Sequence, residues 1–180
     1  GGRLPELDNE SARLAMGRLL GRIHLVGQTA PFHARGVLNV ESFGWLPLRY
    51  LVDEGWLPAN QEETYIQLAE AAIERINSCF HQAGDVAMIR LHGDCHPGNI
   101  LWTETGPLVV DLDDALSGPA IQDIWMLLFG ERAEITRQLD EILEGYEAFA
   151  TFDPRELHLI EALRTLRIMR FAYWLARRWH

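Results

Sequence analysis

The sequence predicts a mainly α-helical α+β domain with a small β-hairpin insert, and three observations carry that expectation. Residues 10–26, 60–84, 121–129, 135–149 and 154–175 are rich in apolar side chains, most of them at helical spacing. The central residues 86–112 switch to short β-rich runs bounded by Gly and Pro. A length of 180 residues with 48% hydrophobic content suits one domain, or one lobe of something larger, with a core of its own.

Residues 1–7 read as a loose lead-in. Asp8 or Asn9 can cap a helix over 10–26, whose stripe runs Ala12, Ala15, Met16, Leu19, Leu20, Ile23 and Val26. Gly27 stops it, and Gly17 and Gly21 leave room for another helix to approach. Residues 28–60 have no clean period; Pro31, Pro47 and Pro58 punctuate them, and a short helix is expected over 45–54. Asn60 and Glu63 resemble a capping box for the next helix, which carries Tyr65, Ile66, Ala69, Ala72, Ile73, Ile76 and Phe80 and ends near Gly84.

The chain then reads as strand, loop, strand, turn, strand: residues 86–91, 100–102 and 108–112, with a turn over 103–107. A loop over 115–122 leads to a helix opening with Ile121, Ile124, Trp125, Leu127 and Leu128. Its nearly all-apolar character predicts burial, Trp125 included. Gly130 ends it. Asp153-Pro154 marks the start of the last helix.

Polar groups collect at the mouth of the β unit. Asp94 and Asn99 fall on its loop, and Asp111 on the end of its last strand. Two carboxylates and an amide oxygen suit a base beside a hard divalent cation, because Mg²⁺ takes few protein oxygens and keeps places for phosphate. Taken singly, Asp94 also suits a turn cap and Asn99 a left-handed turn position. Asp113 and Asp114 read equally as support for a metal or as solvated carboxylates. Asp123 reads as a helix N-terminal carboxylate facing the dipole.

A formal charge of −10 argues against a nucleic-acid or anionic-membrane partner. No apolar run reaches membrane-spanning length and no secretory leader is visible. Two cysteines without metal-ligand spacing fit a reduced, cytoplasmic setting.

The string Leu91-His92-Gly93-Asp94-Cys95-His96-Pro97-Gly98-Asn99-Ile100-Leu101-Trp102, with Val110-Asp111-Leu112-Asp113-Asp114 and Gly118-Pro119-Ala120-Ile121-Gln122-Asp123 after it, resembles the aminoglycoside phosphotransferase and choline kinase family. The resemblance is nearest to its bacterial stress-response branch, which acts on serine and threonine of proteins. It implies the C-terminal lobe of a protein-kinase-like fold over residues 1–180, using ATP as phosphoryl donor and Mg²⁺. By this resemblance Asp94 is the base facing the acceptor hydroxyl, Asn99 and Asp111 hold metal, and His92 packs and hydrogen-bonds to hold the loop. Asp113 supports the metal site, and Asp123 hydrogen-bonds the catalytic loop. Protein kinases carry Arg where this chain has Gly93. The full-length protein is expected to be a monomer.

All 16 basic residues are arginine. Kinases of this fold place a lysine on an N-terminal lobe, where it meets the phosphates, and no glycine-rich phosphate loop is present either. The nucleotide-binding lobe is therefore expected to be absent and the fragment alone inactive. A small-molecule acceptor (an aminoglycoside, choline or a sugar) and a non-catalytic binding module are the alternatives. Gly93-Asp94-Cys95-His96 also opens like a binuclear metallophosphatase, but after His96 only His158 and His180 remain as histidine ligands. That reading is rejected.

Overall fold

Asn9 starts the first helix, α1 (Glu10–Gly27), its side-chain oxygen accepting the Ala12 N–H at 2.9 Å. The structure, a computed structural model, describes residue 7 and residues 9–179. Asp8, the other expected cap, and the lead-in through residue 6 lie outside the described residues. Leu7 is no loose lead-in: it is buried, and its carbonyl accepts a hydrogen bond from Arg13 at 2.7 Å.

The chain folds as two compact units, one comprising the described residues through Gly36 with Ala87–Pro154, the other Val37–Val86 with the described residues from Arg155. In the first, α1 packs on α5 (Arg132–Glu147) through glycine. A Cβ on Gly17 would stand 1.9 Å from the Ile142 carbonyl oxygen, and one on Gly145 would stand 2.2 Å from that of Leu14. The backbones approach too closely for any side chain at these positions. Arg13, itself buried, reaches across the same contact to Glu141.

The β unit is two separate two-stranded antiparallel ladders. β1 (Ile89–Leu91) pairs with β4 (Leu116–Gly118), with Leu91 opposite Leu116. β2 (Ile100–Thr103) pairs with β3 (Gly106–Val109), with Ile100 opposite Val109. Three expectations change. The first strand covers only the end of residues 86–91. The turn tightens to Glu104 and Thr105, because Pro107 can sit in a two-stranded ladder whose edge needs no donor from it. The expected loop over 115–122 contains a strand; Leu-Ser-Gly carries no β signature, and Ser117 N–H also bonds the Gly36 carbonyl at 2.9 Å. Arg90, the one charge in the first apolar run, donates to the carbonyls of Val26 and Gly27 and so closes the C-terminus of α1.

The apolar helix expected over 121–129 is short. α4 covers Ile121–Trp125, and the chain continues through i→i+3 bonds from Leu127 N–H to Ile124 and from Leu128 N–H to Trp125. Gln138 of α5 then satisfies both backbone groups of Phe129. Ile121, Ile124, Leu127 and Leu128 are buried, but Trp125 is only half-buried, its indole N–H on the Gln122 side-chain oxygen at 3.1 Å. The expected burial of Trp125 is corrected accordingly.

The second unit is helical. A π-helical turn, Glu41–Trp45, runs into α2 (Leu46–Asp53), and α3 (Glu62–Ala83) follows. A 3₁₀ segment, Pro154–Leu159, precedes α6 (Ile160–Arg178), so Asp153-Pro154 opens a 3₁₀ turn and the α-helix starts later than expected. Asn60 is not the cap of α3; Gln61 holds that place without a side-chain bond, and the Pro58 carbonyl takes the Gln61 and Glu62 N–H groups. Leu48, Ala69, Ile73 and Met169 form a core here, with Trp45, Val52 and Tyr65 against it. No helix among the described residues is long and apolar enough to cross a membrane.

Two outcomes follow from the α1–α5 contact. Gly17→Ala should cost about 1–3 kcal/mol through backbone displacement, despite alanine's better helix propensity, read as a fall in urea midpoint. The Arg13 hydrogen bond holds the Glu141 carboxyl below the usual carboxylate range; Arg13's charge and Arg137 add to this, and partial burial opposes it. A carboxyl lowered on folding contributes stability above its unfolded pKa and loses it as pH falls through the folded value. Stability should therefore fall on acidification below the ordinary carboxylate range, and Glu141→Gln should flatten that part of a urea-midpoint profile against pH.

Candidate active site

The short ladder β1–β4 ends where the loop begins. At Gly93 the backbone takes φ +86°, and a Cβ would stand 2.4 Å from the Asp114 carbonyl oxygen. Only glycine fits this turn, so the loop lies flat against the chain returning from β3.

The turn is held by α4. Asp123, fully buried, accepts the N–H of His92 on one carboxylate oxygen and that of Gly93 on the other, both at 2.8 Å. Its neighbour Gln122, also buried, donates to the Gly93 carbonyl at 3.0 Å. Two consecutive side chains thus satisfy both backbone groups of Gly93. His24 of α1 meets the same carboxylate at 3.1 Å.

His92 is buried and faces the other way. The Asp94 N–H points at its Nδ1 at 3.3 Å, which leaves Nε2 to carry the proton and donate to the Val110 carbonyl at 2.8 Å. Val110 N–H in turn bonds the Asn99 carbonyl at 2.9 Å, continuing the β2–β3 register one step beyond Ile100 and Val109. The loop and the chain beyond β3 are therefore locked together by backbone on one side and an imidazole on the other.

Asp94 is half-buried, and its carbonyl accepts the Asn99 side-chain N–H at 3.0 Å. That bond orients the Asn99 amide so that its oxygen is left without a protein partner among the described residues. His96 caps the Pro97–Asn99 turn by accepting the Gly98 N–H at 3.0 Å, and its Nε2 lies 3.5 Å from the Asp94 carboxylate. Cys95 is fully buried; burial pushes its thiol well up, and the carboxylates of Asp123 and Asp94 push it further.

Asp111 does not end a strand. β3 stops at Val109, and Asp111 sits two residues beyond, exposed, at φ +64°. A left-handed residue cannot extend a ladder, and aspartate is among the few side chains that tolerate the position. Its carboxylate has no protein partner among the described residues. Asp113 is exposed as well; its carbonyl, and not its carboxylate, is the group engaged, by Arg35.

Hydrogen bonds thus link His92, Asp94, Asn99 and Asp123, and bring in Asp111 through its neighbour Val110. They do not join Asp113. His24, Gln122 and His96 escaped sequence reasoning. A signal existed for Gln122: an amide beside a carboxylate in an apolar run needs a partner once buried. No cluster of three or more His, Cys, Asp or Glu among the described residues could hold a metal. The donors at hand are an unpartnered amide oxygen and an unpartnered carboxylate at one end of the β2–β3 hairpin. Such a sparse oxygen set fits Mg²⁺ shared with water and phosphate, and does not fit zinc.

Residues 2–160 match the model of the phosphotransferase enzyme family. The chain is 44% identical over 179 residues to stress response kinase A of Salmonella choleraesuis and, equally, to the serine/threonine protein kinase RdoA of Salmonella typhimurium. Each alignment takes in 99% of this chain and 54% of the relative, so the chain spans about half the length of the curated relatives it matches. Among solved structures it superposes on an amicoumacin kinase with TM-score 0.72 at 21% identity, covering 100% of this chain and 56% of that one. A spectinomycin phosphotransferase gives 0.63 at 14%, covering 98% and 57%. These two likenesses agree with the helical α+β fold. With the family model matching most of its length, the chain belongs to the phosphotransferase enzyme family.

Proposed function

We propose that this chain is the acceptor- and metal-binding lobe of a kinase that moves the γ-phosphoryl group of ATP to a hydroxyl, with serine or threonine of a protein as acceptor. Family membership supports phosphoryl transfer, and one 44%-identical relative, named a serine/threonine protein kinase, supports the acceptor. The amicoumacin kinase of similar fold was solved with AMP-PNP and Ca²⁺, which is in keeping with a nucleotide and a divalent cation.

One observation carries the residue roles. The loop bearing Asp94 is fixed through its backbone by Asp123, while Asn99 is fixed to the carbonyl of Asp94 itself. A rigid backbone leaves the Asp94 carboxylate to orient an acceptor hydroxyl and take its proton. Asn99 and Asp111 would hold Mg²⁺, which when bound offsets the charge of the phosphates. Phosphoryl transfer asks little covalent chemistry of the protein, so positioning of this kind is most of what the chain has to supply. Cys79 and Cys95 are free thiols, in keeping with a reducing cytoplasm, and the protein is read as a monomer.

The lysine-free chain is read as lacking the nucleotide-cradling lobe. Residues 1–180 alone should show no turnover and only weak Mg·ATP affinity by calorimetry; sub-micromolar binding would sink this part of the proposal. In the full-length enzyme, Asp94→Asn should lower single-turnover rate by roughly 10²–10⁴-fold with Mg·ATP affinity nearly intact. Asp111→Asn should weaken Mg·ATP binding as well as turnover. The opposite pattern would exchange the two roles, and full activity in both variants would remove the loop from catalysis.

A further inference from the structure

His24 has no part in the roles assigned above, yet it is 1% exposed on α1 and touches the residue that holds the loop. Its Nε2 lies 3.1 Å from Asp123 Oδ2, the oxygen that also accepts the His92 N–H. Its Nδ1 lies 3.0 Å from the Tyr146 hydroxyl of α5, and Tyr146 is buried too. We infer that His24 is a positioning residue for the catalytic loop: it fixes the rotation of the Asp123 carboxylate and thereby the direction of the His92 and Gly93 amides. The inference rests on the assignment of that loop in the preceding subsection.

The hydrogen-bond chemistry leaves one arrangement for a neutral ring. Both Asp123 oxygens already accept backbone amides, so the carboxylate acts as an acceptor toward His24, and the ring donates from Nε2. Nδ1 is then the acceptor for the Tyr146 O–H. Tyr146, His24 and Asp123 form a buried line, from α5 through α1 to α4, ending on the backbone of the loop. Without His24, Asp123 could swing about its last torsion and still find one amide. With His24 present, a swing breaks three bonds together.

Two substitutions separate the contacts by reach. The Gln side-chain nitrogen lies as many bonds from Cα as Nε2 of histidine and can still donate to Asp123. Asn reaches only as far as Nδ1 and cannot. In the full-length enzyme His24→Asn should lower kcat by roughly 10–100-fold with little change in KM for ATP, since misplacement acts on the reacting geometry. Hydrogen exchange at the His92 and Gly93 amides should accelerate by on the order of tenfold in the same variant. His24→Gln should restore both. In the unmodified protein, imidazole nitrogen NMR should find the proton of His24 on Nε2.

Unchanged amide protection in His24→Asn, or an Nε2 without a proton, overturns the inference. Should His24→Asn not fold, the other two measurements decide: protected amides in His24→Gln with a protonated Nε2 in the unmodified protein support it, and exposed amides in His24→Gln overturn it. Full turnover in Asp94→Asn would instead remove the catalytic assignment, while the exchange and nitrogen readouts would still judge His24.

Discussion

One buried carboxylate organises this site. Asp123 is removed from water, a placement that costs several kcal/mol for an unpaired charge. It is compensated by two backbone amides and an imidazole, and hydrogen bonds to a charged group contribute about 1.5–3 kcal/mol each. The same bonds fix two successive peptide units of the loop. Electrostatic compensation inside the protein and placement of the site are therefore one arrangement. Removing the carboxylate would leave buried amide donors unpaired at the spot where the chain turns toward Asp94.

The motif around it divides into residues proposed to serve the chemistry and residues that make the backbone possible. Gly93 is there because the Asp114 carbonyl occupies the space a side chain would need. Cys95 fills the interior, with burial pushing its thiol away from reactivity. His92 spends both ring nitrogens on backbone. Asp94 and Asn99 are only half-buried, and Asp111 is exposed on a left-handed backbone that takes it out of the ladder.

Much of the helical framework was legible in the sequence because its signals are local. The stripe from Ala12 to Leu20, the small residues at Gly17 and Gly21, and the break at Gly27 each act over a few residues, whereas Val26 at the end of the expected stripe is exposed and Gly130 ends no helix. The α+β fold class followed from them. β4 was illegible because Leu-Ser-Gly forms a strand only through its distant partner, Ile89–Leu91. The apolar run after Ile121 could not reveal that it stops being helical at Trp125, since Gln138, remote in sequence, satisfies the backbone of Phe129. Asp94, Asn99 and Asp111 stood out as a spaced set of oxygen donors. His24 did not, because a lone histidine on a helical stripe looks the same whether or not a carboxylate waits across the core.

The pairing of Leu91 with Leu116 has a topological meaning. Residues 92–115 form one long loop tied at its neck by β1 and β4, and Asp94, Asn99 and Asp111 all hang inside it, with the β2–β3 hairpin as its far tip. Slackening the neck would disturb all three together, whereas the tip at Glu104 and Thr105 is exposed and bears none of them. The entropy of closing a loop grows only with the logarithm of its length. The hairpin tip is thus the place where this segment can gain residues, in evolution or by design, and leave the neck to hold the site in register.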